Sequence, residues 1–297
     1  MFRLTAVVAA LLGLAGQAWG ASRTENFDVD PGWSVLGTGI NGNDFGYRQE
    51  SSHAGGSPGE GGGRFTRSEF VKYYADTNLD GTITLDTPFS ASGRFDYAQA
   101  NNPDFGYTNM LGYFSTIGDS YVGIGMNYDG HAGWIYWRGV MSLDAGTEVT
   151  DWERLPDTPI GPNTDRTWSF SWDPSGGSEG GGLLTVALDE VSNSAELTPA
   201  LRSKAFAVDA FGWRGGVSPS SNPAQYADIF FDDLTYTVVP EPSSVAMVFM
   251  GAFTLIAFAF CHCTHSSRGT GLRVEVVEVG WVERSEPHRS RDGRVDV

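Results

Sequence analysis

Acidic residues in the first third of the chain have the composition of a calcium-binding loop. The run from Asp76 to Gly81 places oxygen ligands at alternate positions and ends on the glycine that a sharp turn needs. Calcium loops of the helix-loop-helix type carry a bidentate glutamate at the twelfth position, where this chain has Thr87. The predicted calcium ligands are therefore Asp76, Asn78 and Asp80, and a simple hairpin turn is the alternative explanation for the same residues.

A second acidic group combines residues that are far apart in the sequence. Asp28 lies near the start of the central part of the chain, and Asp232 and Asp233 lie near its end. If the first and last strands of a domain lie side by side, these carboxylates meet and supply the oxygen ligands that Ca²⁺ prefers. Structural Ca²⁺ is therefore a candidate cofactor, and solvated acids at strand ends are the alternative.

Four aromatic residues are candidates for binding a sugar. Trp134, Tyr136 and Trp137 fall on one predicted strand, and Trp152 lies in the loop beyond it. Alternation puts Trp134 and Tyr136 on one face of the strand and Trp137 on the other. Exposed aromatic rings offer a flat, amphipathic surface on which sugar rings can stack. Aromatic residues at alternate positions are also typical of a hydrophobic core, which is the alternative.

No motif in the chain predicts catalysis. A retaining glycosidase holds two acids about 5 Å apart, and on a β-sandwich we expect them closely spaced on one strand, but no Glu-x-Asp-x-Glu run occurs between residues 21 and 238. Gly-x-Ser-x-Gly occurs only in the glycine-rich stretches 55–59 and 176–180, which open no helix and form no nucleophile elbow, and His-Glu-x-x-His and phosphate-loop motifs are absent. The glycine-rich stretch from His53 to Gly63 opens no helix and is expected to be a flexible surface segment. We therefore expect a protein that is not an enzyme and has no catalytic residues.

The elements that must position these residues are short β-strands. Thr167 to Trp172 alternates with period two and is followed by Asp-Pro-Ser-Gly-Gly, and Thr82 to Leu85 alternates as well. The one helical signal is Thr198 to Lys204, a turn or two after a capping threonine. About ten to twelve strands of this kind, each with one buried face, predict two packed antiparallel sheets. The predicted fold class is all-β, an antiparallel jelly-roll β-sandwich over residues 21–238.

The two ends of this domain resemble those of bacterial jelly-roll and carbohydrate-binding modules. The domain opens with Glu25-Asn26-Phe27-Asp28 and Pro31-Gly32-Trp33, and it closes with Phe231-Asp232-Asp233-Leu234-Thr235-Tyr236. The resemblance favours a sandwich that is similar to the concanavalin and laminin-G-like kinds. It also implies that the first and last strands pair, which would bring Asp28 towards Asp232 and Asp233.

Both ends of the chain have the features of export signals. Residues 1–20 begin with the basic Arg3, continue with an apolar stretch and end with the small residues Ala18 and Gly20 around a cleavage site, as in a signal peptide. A second apolar run near the C-terminus predicts one transmembrane helix over 245–263. A helix of this length is slightly short for a bilayer, but it is sufficient to span one.

Residues 239–268 resemble the sorting segment of the PEP-CTERM family of bacterial exported proteins. The resemblance rests on the short apolar helix, on Arg268 after it, and on the signature before it, which is Pro240, Glu241 and Pro242. It implies processing by an exosortase-type membrane protease and a location in the cell envelope, with the C-terminus anchored in the membrane before processing. A plain membrane anchor is the alternative. Residues 269–297 extend beyond the usual end of the family and are expected to be a disordered or spurious tail.

Charge and cysteine content restrict the partners. The chain has 19 Lys and Arg against 36 Asp and Glu, a formal net charge of −17. Phosphate backbones require the opposite sign, so nucleic acid is excluded as a partner. Both cysteines, Cys261 and Cys263, lie at the end of the C-terminal apolar run, and no disulfide is expected in the exported domain.

Together these observations predict an exported, envelope-associated, non-enzymatic protein that binds or organises extracellular material, with polysaccharide as the candidate ligand. A divergent glycan-active enzyme on the same fold and a purely structural surface protein are the alternatives.

Overall fold

The computed structural model describes most of the predicted domain. All described residues belong to one compact unit that spans residues 1–241. They are residues 21–37, 45–67, 71–100, 109–129, 134–143, 147–148, 163–215 and 222–239.

Several sequence predictions fall outside these ranges. They are the signal peptide at 1–20, the sorting signature Pro240, Glu241 and Pro242, the membrane helix at 245–263, and the tail at 269–297. Within the described ranges, no helix has the length and the apolar character needed to cross a bilayer.

The domain is all-β and contains two antiparallel sheets, which confirms the predicted fold class at this level. Sheet A consists of β1 (Ala21–Glu25), β3 (Phe45–Arg48), β4 (Glu60–Arg67), β6 (Phe89–Ala100), β11 (Arg166–Asp173), β12 (Leu183–Leu188), β13 (Val191–Glu196) and β15 (Asn222–Val238). Sheet B consists of β2 (Ser34–Leu36), β5 (Lys72–Asp76), β7 (Asn109–Phe114), β8 (Tyr121–Asp129), β9 (Trp134–Leu143), β10 (Thr147–Glu148) and β14 (Ala210–Gly215).

The strand order shows that the chain crosses repeatedly between the sheets. Sheet A is ordered β13-β12-β11-β6-β15-β4-β3, and sheet B is ordered β10-β9-β8-β7-β14-β5-β2. Consecutive strands such as β4 and β5, β6 and β7, or β14 and β15 lie in different sheets. The first strand, β1, pairs with the C-terminal part of β15, with Glu25 opposite Leu234. The pairing of the first and last strands that the resemblance implied is therefore confirmed.

The core lies between the two sheets and is largely aromatic. Trp168, Phe170 and Trp172 alternate inward from β11, as the sequence predicts, and each is at most 3% exposed. Trp172 donates its indole N–H to the backbone oxygen of Leu85 at 2.9 Å, so this buried polar group is satisfied. Each large apolar side chain contributes about 1.5–3 kcal/mol by leaving water, which explains how the domain can fold without a disulfide.

The one described helix, α1 (Pro199–Arg202), begins as predicted. Thr198 is its N-cap and accepts a hydrogen bond from the backbone N–H of Leu201 at 3.2 Å. By contrast, the stretch from Thr82 to Leu85 is not a strand, and only Ile83 forms a bridge, with Val208. Alternation alone did not identify a strand there, because a strand also needs a neighbour with which to pair along its length.

The glycine-rich stretch is not the flexible surface segment that the sequence predicted, because its second half forms β4. Glu60 and the three glycines after it are buried between β3 and β15. A Cβ atom on Gly61 would overlap the ring of Phe231, and one on Gly62, whose φ is +132°, would overlap the backbone of β15. These glycines allow close packing of strands, which is the opposite of flexibility.

Candidate functional site

The predicted calcium loop holds the guanidinium group of Arg23 from β1. Arg23 Nη1 donates to Asp76 Oδ2 and, at 2.8 Å, to the backbone oxygen of Asn78. Arg23 Nη2 donates to Asp80 Oδ2 at 3.0 Å. The oxygens that were predicted to bind Ca²⁺ are thus neutralised by a cation of the protein itself. Ca²⁺ binding by Asp76, Asn78 and Asp80 stays a prediction, and it would require that Arg23 be displaced.

A polar cleft of about 360 Å³ lies beside this loop. Arg23, Glu25, Trp33, Asp76 and Tyr236 contribute to its walls. Tyr236 donates its hydroxyl to Asp76 Oδ2 at 2.7 Å, and burial raises the pKa of both Tyr236 and Glu25. Because its charged groups already satisfy one another, the cleft offers few free donors or acceptors to a ligand.

The carboxylates of the second predicted calcium group are near enough for the charges of Asp28 and Asp233 to act on Asp232. Asp232 is 3% exposed, whereas Asp28 and Asp233 are exposed. Burial raises the pKa of Asp232 to about 7, and the negative charges of Asp233, Glu60 and Asp28 raise it further, although a hydrogen bond from the Asp233 N–H opposes the shift. The site therefore carries more negative charge than its surroundings neutralise.

Two further buried acids, which the sequence analysis missed, lie on the same face of sheet A. Glu60 is fully buried and accepts a hydrogen bond from the Ala54 N–H at 2.8 Å, while its Oε1 has no partner. Asp96 is 2% exposed, its pKa is raised by burial, and its Oδ2 lies 3.9 Å from Nδ1 of His53. The His53 ring stacks on Phe230 with centroids 4.0 Å apart. No sequence signal marked these acids, because only strand register places them together.

Ca²⁺ is chemically better suited to the Asp232 group than to the Arg23 loop. Among the described residues, the carboxylates around Asp232 have no Lys or Arg within ion-pair distance, and the Glu60 oxygen without a hydrogen-bond partner is an unused acceptor. In the part of the chain that the structure describes, however, no three His, Cys, Asp or Glu side chains form a group that could hold a metal ion. Ca²⁺ binding by Asp28, Asp232 and Asp233 stays a prediction.

The predicted sugar-binding aromatics lie on β9, apart from Trp152, which lies outside the described residues. The backbone of β9 pairs with β8 from Trp134 to Ser142. Strand alternation places positions Trp134 and Tyr136 on the same face as Ser142 and position Trp137 on the opposite face. The face that contains Ser142 is the outer face of sheet B, which points away from sheet A.

The outer face of sheet B carries a second apolar cluster with an aromatic edge. Ala75, Phe114 and Ala210 are fully buried there, and Tyr73 and Tyr121 pack against them while staying partly exposed. The rings of Tyr73 and Phe114 are 5.3 Å apart. These residues come from four strands, β5, β7, β8 and β14, so the sequence alone does not group them.

A row of three glycines crosses the same face of sheet B. Gly212 pairs with Gly112, and Gly112 pairs with Gly123, so three adjacent strands each place a glycine in one line. The terminal methyl group of Met110 lies against Gly112. A Cβ atom on Gly112, Gly123 or Gly212 would overlap the backbone of a neighbouring strand, so the row allows close packing of the strands.

Arg214 lies on one side of this row, and its guanidinium group reaches towards Tyr121 on the other side. The guanidinium carbon lies 5.1 Å from the Tyr121 ring centroid, which is cation–π distance. Arg214 is 8% exposed, its Nε has no hydrogen-bond partner, and burial lowers its pKa, with Tyr121 and Asp119 opposing the shift. Tyr73 pairs directly with Arg214 across β5 and β14, and burial raises the pKa of its hydroxyl, as does the charge of Asp209. A buried cation and two partly exposed tyrosines are thus grouped on one face of sheet B.

No protein-family model and no curated protein matches the chain. Similar solved structures include the alginate lyase Aly36B, at 11% identity over 75% of this chain and 100% of that chain, with a TM-score of 0.43. A conserved carbohydrate esterase from the Shiga toxin-encoding bacteriophage phi24B matches at 15% identity over 74% and 100%, with a TM-score of 0.43. The CBM2 module of the evolved Dit of Lactobacillus casei BL23 phage J-1 matches at 12% identity over 74% and 96%, with a TM-score of 0.42. At these identities and TM-scores the similarity carries no argument about activity or ligand.

Proposed function

We propose that this protein is exported, associated with the cell envelope and non-enzymatic, and that its jelly-roll domain binds extracellular polysaccharide on the outer face of sheet B. The observation that carries the proposal is the grouping of Tyr73, Tyr121 and Arg214 on that face. Tyrosine rings offer an apolar surface to the C–H faces of sugars, and their hydroxyls can donate to sugar oxygens. A guanidinium group adds several donors in a fixed geometry.

The order of residues across this face supports an extended ligand. The glycine row runs perpendicular to the strands and separates the position of Arg214 from that of Tyr121. Position 138 of β9 lies in the same cross-strand row as Arg214, and position 136 lies one row further along this face. A polysaccharide chain of several units would therefore meet Tyr121 and Arg214 first and the predicted aromatic strand, with Trp134 and Tyr136, next.

A binding assay on the full-length chain, purified in detergent, tests this proposal. We expect reproducible binding to a class of polysaccharide on a glycan array, and a loss of about tenfold or more in Tyr121→Ala, which corresponds to about 1.4 kcal/mol. Tyr226→Ala is the matched control, because Tyr226 also packs beneath an arginine, Arg64 at 3.7 Å, but belongs to sheet A. Equal losses in both variants, or a blank array with folded protein, would contradict the proposal.

The same assay separates the alternative functions. Turnover of a bound polysaccharide, seen as new chain ends, would reveal the glycan-active enzyme. A folded protein that binds no glycan would favour the structural surface protein.

Export and sorting form the second part of the proposal and rest on the sequence. The signal peptide at 1–20 and the Pro240-Glu241-Pro242 segment before an apolar run support processing by an exosortase-type protease. Fractionation of cells that express tagged wild type or a Pro240→Ala/Pro242→Ala variant tests this part. We expect the variant to remain unprocessed in the membrane, and equal processing in both would contradict a role of the signature in sorting.

A further inference from the structure

The outer face of sheet A, which points away from sheet B, carries a patch of hydroxyl side chains. Strand register places them in two parallel rows that cross β13, β12, β11, β6, β15 and β1. The first row contains Ser194, Thr185, Ser171, Ser90, Thr237 and Ser22. The second row contains Ser192, Ala187, Ser169, Ser92, Thr235 and Thr24. Every position of this hydroxyl patch except Ala187 is therefore a serine or a threonine.

We propose that the hydroxyl patch is a second glycan-binding surface, and that its ligand is an extended chain of an uncharged polysaccharide. The proposal goes beyond the function proposed above, because the patch lies on the other sheet and shares no residue with the group of Tyr73, Tyr121 and Arg214.

The patch is open to solvent. Each of its side chains is exposed or partly exposed. The hydroxyl groups of Ser92, Ser169 and Ser171, at its centre, have no hydrogen-bond partner among the described residues. Thr185 and Ser194 bond to each other at 2.8 Å, and such a pair still keeps one free hydroxyl hydrogen. The patch therefore offers both donors and acceptors to a ligand.

The needs of a β-sheet do not explain this composition. Strands favour β-branched and aromatic residues, but serine, which belongs to neither class, outnumbers threonine in the patch. Charged residues make up 19% of the chain, yet none lies within the two rows. Charges return at the next outward position of the same strands, with Asp173 and Glu196 beyond the first row and Arg94 beyond the second.

The absence of charge selects the kind of partner. An uncharged patch gives no ion pair to an anionic or a cationic polymer. A second copy of the chain is disfavoured, because the patch has no large apolar side chain to bury and two chains with a net charge of −17 repel each other. A neutral polysaccharide carries many hydroxyl groups that donate and accept hydrogen bonds, which is the chemistry that the patch itself presents.

The dimensions of the patch fit one extended chain. Neighbouring strands lie about 4.8 Å apart, so a row across six strands is about 24 Å long, whereas alternate residues of a strand separate the two rows by about 7 Å. This shape is long enough for several sugar units and wide enough for one chain that crosses the strands. Hydrogen bonds between neutral groups are individually weak, so the affinity depends on several contacts along the chain.

Affinity electrophoresis of the full-length chain in detergent tests the proposal. The gels contain one of four neutral polysaccharides, which are dextran, galactomannan, hydroxyethyl cellulose and arabinoxylan. We expect at least one of them to retard the wild type, and we expect the retardation to persist in Tyr121→Ala, because Tyr121 belongs to sheet B.

Two isosteric triple variants provide the decisive comparison. Valine and threonine have nearly the same shape and both favour strands, but only threonine keeps a hydroxyl group. Replacement of Ser92, Ser169 and Ser171 by valine should weaken binding about tenfold or more, as expected for the loss of three hydrogen bonds. Replacement of the same three residues by threonine should leave binding within about twofold of the wild type.

Each outcome has a distinct meaning. Equal binding of the valine and threonine variants would overturn the proposal, and so would the absence of retardation by all four polysaccharides. Loss of binding in Tyr121→Ala alone would place the glycan on sheet B, which overturns the proposal and leaves the proposed function standing. Should the valine variant fail to fold, Ser169→Ala/Ser171→Ala takes its place with an expected loss of about fivefold or more, and unchanged binding in that variant would contradict a role of the patch.

Discussion

Replacing Asp232 with asparagine is expected to stabilise the protein at pH 8 and to change its stability little at pH 4. Asp232 is 3% exposed, and burial together with the charges of Asp233, Glu60 and Asp28 raises its pKa to about 7. A carboxyl group with a raised pKa binds its proton more tightly in the folded chain than in the unfolded chain. Ionisation of Asp232 therefore opposes folding as the pH rises.

The size of this effect follows from the shift in pKa. The shift from 3.8 to about 7 spans about three units at about 1.36 kcal/mol each, so the upper limit is about 4 kcal/mol. The stabilising contribution of the protonated group is complete below about pH 4, decreases between about pH 4 and pH 7, and is absent above pH 7. Water and local rearrangement reduce such energies, so we expect Asp232→Asn to gain about 2 kcal/mol at pH 8, or about 4–8 °C in Tm.

Thermal melting of the full-length chain in detergent at several pH values between 4 and 8, with a chelator present, measures this difference. The chelator ensures that no Ca²⁺ neutralises the site. The backbone N–H of Asp233 donates to Asp232 Oδ1 at 2.8 Å, and the amide oxygen of the variant can keep this bond. Asp30→Asn is the matched control, because Asp30 is exposed, asparagine can still accept the Gly32 N–H, and Asp30 is not among the charges that act on Asp232. A difference curve that is flat with pH, or a loss of stability at pH 8, would refute the reasoning.

Three further predictions concern other parts of the domain. Arg23→Gln should lower the free energy of unfolding at pH 7 by about 1–3 kcal/mol, because it leaves the buried Asp76 without its cation. Urea unfolding measures this loss, and an unchanged free energy would contradict a structural role of the ion pair. Gly182→Ala should cost more than about 2 kcal/mol by the same assay, because its φ is +99° and a Cβ would overlap the indole of Trp172, so wild-type stability would contradict the packing. If Ca²⁺ binds at Asp232, adding Ca²⁺ at pH 8 in the absence of chelator should stabilise the folded protein and raise its Tm. At a Ca²⁺ concentration of 100 times Kd the stabilisation is about 2.7 kcal/mol, and an unchanged Tm would contradict the predicted calcium sites.

Local sequence patterns predicted those elements whose structure depends on local forces. The alternation of β11 identified both the strand and its inward face, and Thr198 identified the start of α1. The pattern failed at β4, where three successive glycines suggested flexibility. Their role depends on Phe231, which lies about 170 residues away in the sequence and occupies the space that a side chain on Gly61 would need. A partner at that separation leaves no mark on the local sequence.

The candidate site could not be predicted from the sequence for a related reason, because the fold determines which charged side chains lie next to one another. Acids outnumber bases by 36 to 19, so most arginines of this chain have several carboxylates with which they can pair. Arg23 takes two of them and thereby fills a loop whose spacing alone favoured Ca²⁺. Against this excess of acids, an arginine that is buried with no described carboxylate within ion-pair distance is informative, because only the more distant charge of Asp119 acts on it. Arg214 is in that position on the face that also carries Tyr73 and Tyr121, and register across β5, β14, β7 and β8 is what brings the three together. The residue type was visible in the sequence, but the missing partner became visible only in the fold.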